Sequence, residues 1–225
     1  MLENVIATHP RLLRLKRRKV PAIWLMAVLL AMTAFGLWHV FRTHVTNLGS
    51  AQLMSEHGVY SAWNSNKVIV LIRHAERCDR SNHACLGDPA GITVDGSQAA
   101  ATVGDGIRRL GLSDADILSS PEVRTQQTAS TLFGKGIETQ EWLARCDSTF
   151  ANAALAHKRE AHNLVLVTHS GCIDHLERQL GVAGGERVAG YASALFVSKD
   201  SNGKVHLLGQ LNANQWQTLN SSTGK

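Results

Sequence analysis

The sequence has no spread of positive charge, no internal repeat, no low-complexity tract and no glycine-rich phosphate loop, and each absence removes a class of function. The formal net charge is +5, which alone would suggest a polyanionic partner. Arg11, Arg14, Lys16, Arg17, Arg18 and Lys19 together exceed that surplus. Beyond them the chain is close to balanced, and nucleic-acid binding is not expected. Without repeats or biased tracts, 225 residues make one ordinary domain with appendages. Gly184, Gly185 and Gly190 lack the strand-loop-helix context of a phosphate cradle and read as turn glycines. A metal cage is also missing, because Cys78 and Cys85, with His83 between them, are spaced too widely for a two-cysteine zinc knuckle. No metal or other cofactor is expected.

One apolar run stands out. Val20 to Trp38 carries no charge, directly follows the basic cluster, and is long enough to span a bilayer as a helix. A cleavable signal peptide is the rival, but its apolar region would be shorter and would end at a small-x-small site. Met32 and Leu48 stand at the third position before the candidate cuts after Ala34 and Ser50. The expected organisation is a cytoplasmic basic segment (1–19), a transmembrane anchor (20–41), a juxtamembrane linker (42–66) with a short helix over Ala51 to Glu56, a folded domain (67–220) and a frayed tail (221–225). Positive charge on the N-terminal side keeps that side in the cytoplasm, so the domain is delivered across the membrane. Cys78, Cys85, Cys146 and Cys172 all lie on the translocated side. In an oxidising compartment they suggest two disulfides, whose pairing counting cannot decide; Cys78 and Cys85 are close enough to clip one loop, which leaves Cys146 with Cys172.

Lys67-Val-Ile-Val-Leu-Ile72 is an unbroken β-branched run ending in Arg73, His74 and Ala75, and Asn163-Leu-Val-Leu-Val-Thr168 ends in His169, Ser170 and Gly171. Such runs are strands covered on both faces. Between and after them, helices are expected over Thr93 to Leu110, Val123 to Phe133, Ala151 to Ala161 and Cys172 to Leu180, with shorter strands at Ile117 to Ser119, Ala194 to Val197 and Val205 to Leu211. The alternation predicts an α/β fold, a three-layer α/β/α sandwich on a mainly parallel sheet. In such sheets ligands bind beyond the carboxyl ends of the strands, where both histidines fall.

A phosphate monoester needs fixed positive charge around its oxygens and an in-line nucleophile. Arg73 and His74 offer both, Arg124 adds a second guanidinium at a helix start behind Ser119-Ser120-Pro-Glu-Val, and a protonated His169 would donate to the same phosphate. These residues match a family pattern. Arg73-His74-Ala-Glu76, Gly91-Ile-Thr-Val-Asp-Gly-Ser-Gln-Ala99, Ser119-Ser-Pro-Glu-Val-Arg124-Thr-Gln-Gln-Thr-Ala129 and Val167-Thr-His169-Ser-Gly171 resemble, in order and spacing from Lys67 to Leu180, the histidine phosphatase superfamily with its phosphoglycerate-mutase-like fold. More narrowly, Arg73-His-Ala-Glu-Arg-Cys-Asp-Arg80, the four cysteines and the N-terminal apolar segment resemble the lipopolysaccharide core heptose(II)-phosphate phosphatases of Gram-negative bacteria.

The resemblance implies a phosphohistidine on His74, a phosphate pocket of Arg73, Ser120, Arg124 and His169, and an envelope enzyme acting on a phosphorylated sugar of the lipopolysaccharide core, with no obligatory protein partner. It has two departures. Ala75 replaces the superfamily's usual glycine, and the usual general acid has no clean match; Arg145 stands near its expected place, and Glu76 or Asp147 is left to protonate the leaving oxygen, with Glu76 preferred for its place on the nucleophile's loop. Other readings are a broader acid phosphatase or phosphohistidine protein phosphatase of the same fold, or a non-catalytic sugar-phosphate binder. His83, His157, His162, His175 and His206 read as surface or structural, His175 and Glu177 as residues of an exposed helix, and Trp142 and Trp216 as packing residues.

Overall fold

A computed structural model describes residues 22–134 and 136–222. It divides the chain into two units, Met1–Phe41 and Arg42–Lys225. In the first, α1 (Ala22–Phe41) is an apolar helix; Ile23, Trp24, Leu25, Met26, Leu29, Leu30, Phe35 and Trp38 are all exposed on it. The expected anchor begins outside the described residues, as does the whole basic segment. Among the described residues no helix is long and apolar enough to cross a membrane.

The second unit comprises α2 (Ala51–Glu56), α3 (Val59–Asn64), β1 (Val68–Arg73), α4 (Val94–Leu110), β2 (Ala115–Ser119), α5 (Val123–Phe133), β3 (Glu138–Thr139), α6 (Phe150–His157), β4 (Asn163–Thr168), α7 (Ser170–Gln179), β5 (Ala194–Lys199), β6 (Val205–Leu211) and α8 (Gln215–Ser222). The strands form one sheet in the order β3-β2-β4-β1-β5-β6. β1, β4, β2 and β3 run parallel, and β5 and β6 make an antiparallel flank. The sheet is therefore mixed.

Alternation along the central strands builds the layers, because successive side chains leave a strand on opposite faces. Val68, Val70 and Ile72 of β1 join Val165 and Val167 of β4 in one core, with residues of α2, α3, α4, α5 and α8. Ile69 and Leu71 join Leu164 and Leu166 in the other, with residues of α6 and α7. Every residue of β4 is buried, as a strand covered on both faces requires.

The segment 42–66, expected as a linker, is instead part of the domain. Leu48, Met54, Val59 and Trp63 are buried in the first core, the Trp63 indole donates to the Gly111 carbonyl at 3.0 Å, and along β6 the Leu48 N–H donates to the Gln210 carbonyl while the Gln210 N–H donates to the Thr46 carbonyl. Its apolar residues are sparse in sequence, but Val59 and Trp63, four apart on α3, lie on one side of that helix, and with Met54 of α2 and Leu48 they are buried despite the polar appearance of the stretch. Gly58, at φ +71°, turns α2 into α3 in a conformation few other residues adopt cheaply. At the other end, Ser221 and Ser222 still belong to α8, and the rest of the expected tail, 223–225, lies outside the described residues. Glu177 also departs from expectation: it is buried, only 1% exposed, on the inner side of α7.

Candidate active site

Register positions the site. Arg73 pairs with Thr168 and Ser119 with Val167, so β1, β4 and β2 end at nearly the same level. The next residue of each strand is then His74, His169 and Ser120, and the backbone is tied across: His74 N–H donates to the Thr168 carbonyl at 2.9 Å and Ser120 N–H to the Val167 carbonyl at 2.9 Å. The imidazole rings of His74 and His169 stand 5.4 Å apart, edge to face. Arg124, in the first turn of α5, reaches in from the side, its Nη2 3.4 Å from His169 Nδ1. Thus Arg73, His74, Ser120, Arg124 and His169 converge at the carboxyl edge of the sheet.

Tautomers follow from the partners. His74 Nδ1 lies 2.8 Å from the Ala75 carbonyl, which can only accept, so Nδ1 carries the proton and Nε2 presents a lone pair. Burial, above all, pushes the His74 pKa down to about 3, against the pull of that carbonyl and assisted by His169 and the two arginines. A neutral, desolvated imidazole with a free Nε2 is what attack on phosphorus requires.

For His169, guanidinium nitrogens only donate, so Nδ1 accepts from Arg124 and Nε2 donates to Ser120 Oγ at 2.9 Å. Burial dominates again and lowers its pKa to about 4, partly opposed by Glu122. Burial thus disfavours the protonated ring in the free site, and Nε2–H is a donor there without a second proton.

Arg73 is held from two sides. Its Nη1 donates to the Ala189 carbonyl at 2.7 Å, and its guanidinium carbon lies 3.9 Å from the centre of the Tyr191 ring, a cation–π contact. Tyr191 also lies 5.8 Å, ring to ring, from His74. The following residue, Ala192, adopts φ +52°, a left-handed strain that brings its N–H to the His74 carbonyl at 3.3 Å. Ala75 shows no such strain. Its φ is not positive, its side chain is fully buried, and its N–H donates to Thr128 Oγ1 at 3.0 Å, so the methyl is accommodated where glycine is usual.

The two carboxylates expected as acids are engaged elsewhere. Glu76 accepts from Thr93 Oγ1 at 2.7 Å, His83 Nδ1 at 2.9 Å and Ser81 Oγ at 3.2 Å. His83, and next Thr93, hold its carboxyl below the usual range. Through Thr93, which also accepts from Gly96 N–H at 2.9 Å, it clasps the loop to the start of α4. Asp147 accepts from the backbone and hydroxyl of Thr149 at 2.8 and 2.6 Å, which likewise lowers its pKa.

A carboxylate not foreseen stands beside these groups: Glu122 forms an ion pair with Arg124, and its other oxygen lies 3.8 Å from His169 Nε2. Glu122 lies within the Ser119-Ser-Pro-Glu-Val-Arg124 motif, where sequence alone gives it no role. Tyr191 lacked a signal too, since no local pattern reports a ring meeting an arginine 118 positions away.

Disulfides frame the site. Cys78 pairs with Cys85, Cα to Cα 5.2 Å, and Cys146 with Cys172, Cα to Cα 4.1 Å. The second holds the start of α7, and Gly171 leaves it room: a Cβ there would meet the Cys146 Cβ at 3.3 Å. A cavity of about 530 Å³ lined by Lys67, Lys158 and Lys199 lies at the opposite, amino end of β1 and contains none of these groups. Among the described residues no group of three or more His, Cys, Asp or Glu is placed to hold a metal ion.

Fold and site together define a histidine phosphatase, an enzyme that hydrolyses phosphoric monoesters. The fold is shared with the protein histidine phosphatase SixA complexed with tungstate, at TM-score 0.52 and 16% identity over 65% of this chain and 97% of that one. It is also shared with phosphoserine phosphatase from Entamoeba histolytica in complex with 3-phosphoglyceric acid, at TM-score 0.51 and 16% identity over 66% and 98%. No family model matches the chain. The lipopolysaccharide core heptose(II)-phosphate phosphatases of Escherichia coli O139:H28 (strain E24377A / ETEC) and of Escherichia coli (strain K12 / DH10B) are each 35% identical over 141 residues, 54% of this chain and 70% of theirs. The chain belongs to the family of these heptose(II)-phosphate phosphatases.

Proposed function

We propose that the enzyme removes a phosphoryl group from a heptose of the lipopolysaccharide core, by way of a phosphohistidine on His74, in the periplasm of a Gram-negative bacterium. The observation that carries the chemistry is the His74 ring, neutral, proton on Nδ1 and lone pair on Nε2, set among Arg73, Arg124, Ser120 and His169. In this reading the two guanidiniums neutralise the phosphate oxygens, His169 Nε2–H, turned from Ser120 Oγ, and the Ser120 hydroxyl donate to a third, and Nε2 of His74 attacks in line. The substrate is supported by the relatives' activity at 35% identity. Anchoring in the inner membrane is supported by six basic residues between Arg11 and Lys19, by the uncharged run that follows, and by apolar side chains exposed along α1. Two disulfides suit an oxidising compartment.

The test is phosphate release from purified lipopolysaccharide by residues 42–225, wild type beside His74→Ala, with an aryl phosphate for comparison. Release lost in the variant supports chemistry and substrate together. Turnover of the aryl phosphate alone retains the phosphatase and discards the substrate, leaving a broader acid or phosphohistidine phosphatase. Silence on both overturns the reading in favour of a sugar-phosphate binder.

A further inference from the structure

We infer that Glu122 is the proton donor to the leaving oxygen, an inference that rests on His74 as the nucleophile. Its geometry singles it out. Glu122 is the residue before α5, with extended backbone at φ −69° and ψ 144°, two positions ahead of Arg124. One carboxylate oxygen pairs with Arg124 and the other faces His169 Nε2 at 3.8 Å. On the proposed reading these two groups hold the phosphate, so the carboxylate stands beside it. Its side chain is 36% exposed, so a bulky alcohol can reach it from solvent. The rival carboxylates have other attachments: Glu76 to His83, Thr93 and Ser81, Asp147 to Thr149, and Asp79 to Arg77.

A phosphate dianion binds an arginine bidentately and displaces a lone carboxylate from it. The steps then balance. The bond from His74 Nε2 to phosphorus forms as the bond from phosphorus to the sugar oxygen breaks, and the oxygen leaves with the Glu122 proton. Water next attacks the phosphohistidine and gives its proton to the Glu122 carboxylate; the phosphorus–nitrogen bond breaks, inorganic phosphate departs and His74 returns neutral. One carboxyl thus serves as acid and then base.

The experiment compares two substrates that differ in their need for a proton. A sugar phosphate leaves as a strongly basic alkoxide unless protonated; p-nitrophenyl phosphate leaves as a stable phenolate. In Glu122→Gln, kcat/KM for the sugar phosphate is expected to fall roughly 100-fold or more, the general acid range, and that for the aryl ester less than roughly 10-fold. The phosphohistidine should still form from the aryl ester. Equal losses on both substrates would overturn the inference and leave Glu122 as a support for Arg124. Equal gains would overturn it too, making Glu122 only a competitor for the pocket. Competitive inhibition by inorganic phosphate reports that the pocket is assembled; if Glu122→Gln lacks it, Glu122→Asp, which keeps a proton, is expected to show the same divergence at smaller amplitude. Failure of the underlying reading is separate: wild-type enzyme would then yield no phosphohistidine on His74 from either ester.

Discussion

At the scale of single residues, two buried groups have pH signatures of opposite consequence. His74 attacks only when neutral, and its pKa is pushed to about 3. Phosphoenzyme formation from an aryl phosphate should therefore persist at pH 5, with the ester's own ionisation measured separately. An acid limb centred near pH 6.5 would show that the ring is not desolvated as described. Glu177 is buried with both carboxylate oxygens unpartnered, and burial, reinforced by Asp174, raises its pKa from 4.5 to about 7. Its folded state keeps the proton through a range in which the unfolded chain gives it up. Stability from this group is thus complete below about pH 4.5 and declines as pH rises through about 7. Glu177→Gln should raise unfolding stability at pH 8 by an amount of the order of 3 kcal/mol and leave it nearly unchanged at pH 4.5. Urea melts at the two values measure this, and a gain at both would refute the assignment. That Arg73, His74, Ser120, Arg124 and His169 come together was legible in the sequence because motif order fixes which strand ends meet. Glu122, Tyr191 and the burial of Glu177 were not, since each depends on where a side chain turns after the backbone is in place.

At the scale of elements, helix packing depends on glycines that the sequence disclosed only as composition. A Cβ at Gly106 of α4 would lie 1.9 Å from Cε3 of Trp216, and one at Gly104 would lie 2.4 Å from the Leu132 carbonyl oxygen. These two glycines let α8 and α5 approach α4 closely. Gly106→Ala should lower stability by at least about 1–3 kcal/mol, the usual cost of overpacking, while leaving KM for an aryl phosphate within error, because Trp216 lies away from the pocket-forming strand ends. A variant as stable as wild type would mean that α8 does not pack as described. The long buried strands and α5 were readable from β-branched runs and helical spacing, and α5 runs over the expected residues, Val123 to Phe133. By contrast, α3 and α8 escaped notice because their few apolar residues, Trp63 and Trp216 among them, sit in polar stretches too short for a period to emerge. The antiparallel sense of β5 was also hidden: strand patterns give burial, and direction is set by the connections.

At the scale of the whole molecule, the boundary between the two units falls at Arg42, not at residue 67. A chain lacking 1–41 should remain soluble and keep the aryl phosphatase activity of the full chain in detergent, whereas one lacking 1–66 loses Leu48, Met54, Val59 and Trp63 from the core and should aggregate; sedimentation with activity assay distinguishes them. On the anchored reading, the full chain should stay with membranes through a carbonate wash and be released by detergent. The strand order has a further consequence, for the time course of folding. β1 lies inside the sheet between β4 and β5, and its partners begin at Asn163 and Ala194. Until those residues have left the ribosome, the Val-Ile-Val-Leu-Ile run has nothing to pair with, and the chain cannot close its sheet. Pairings so distant in sequence fold slowly, so the sheet of the nascent protein closes only late in its synthesis.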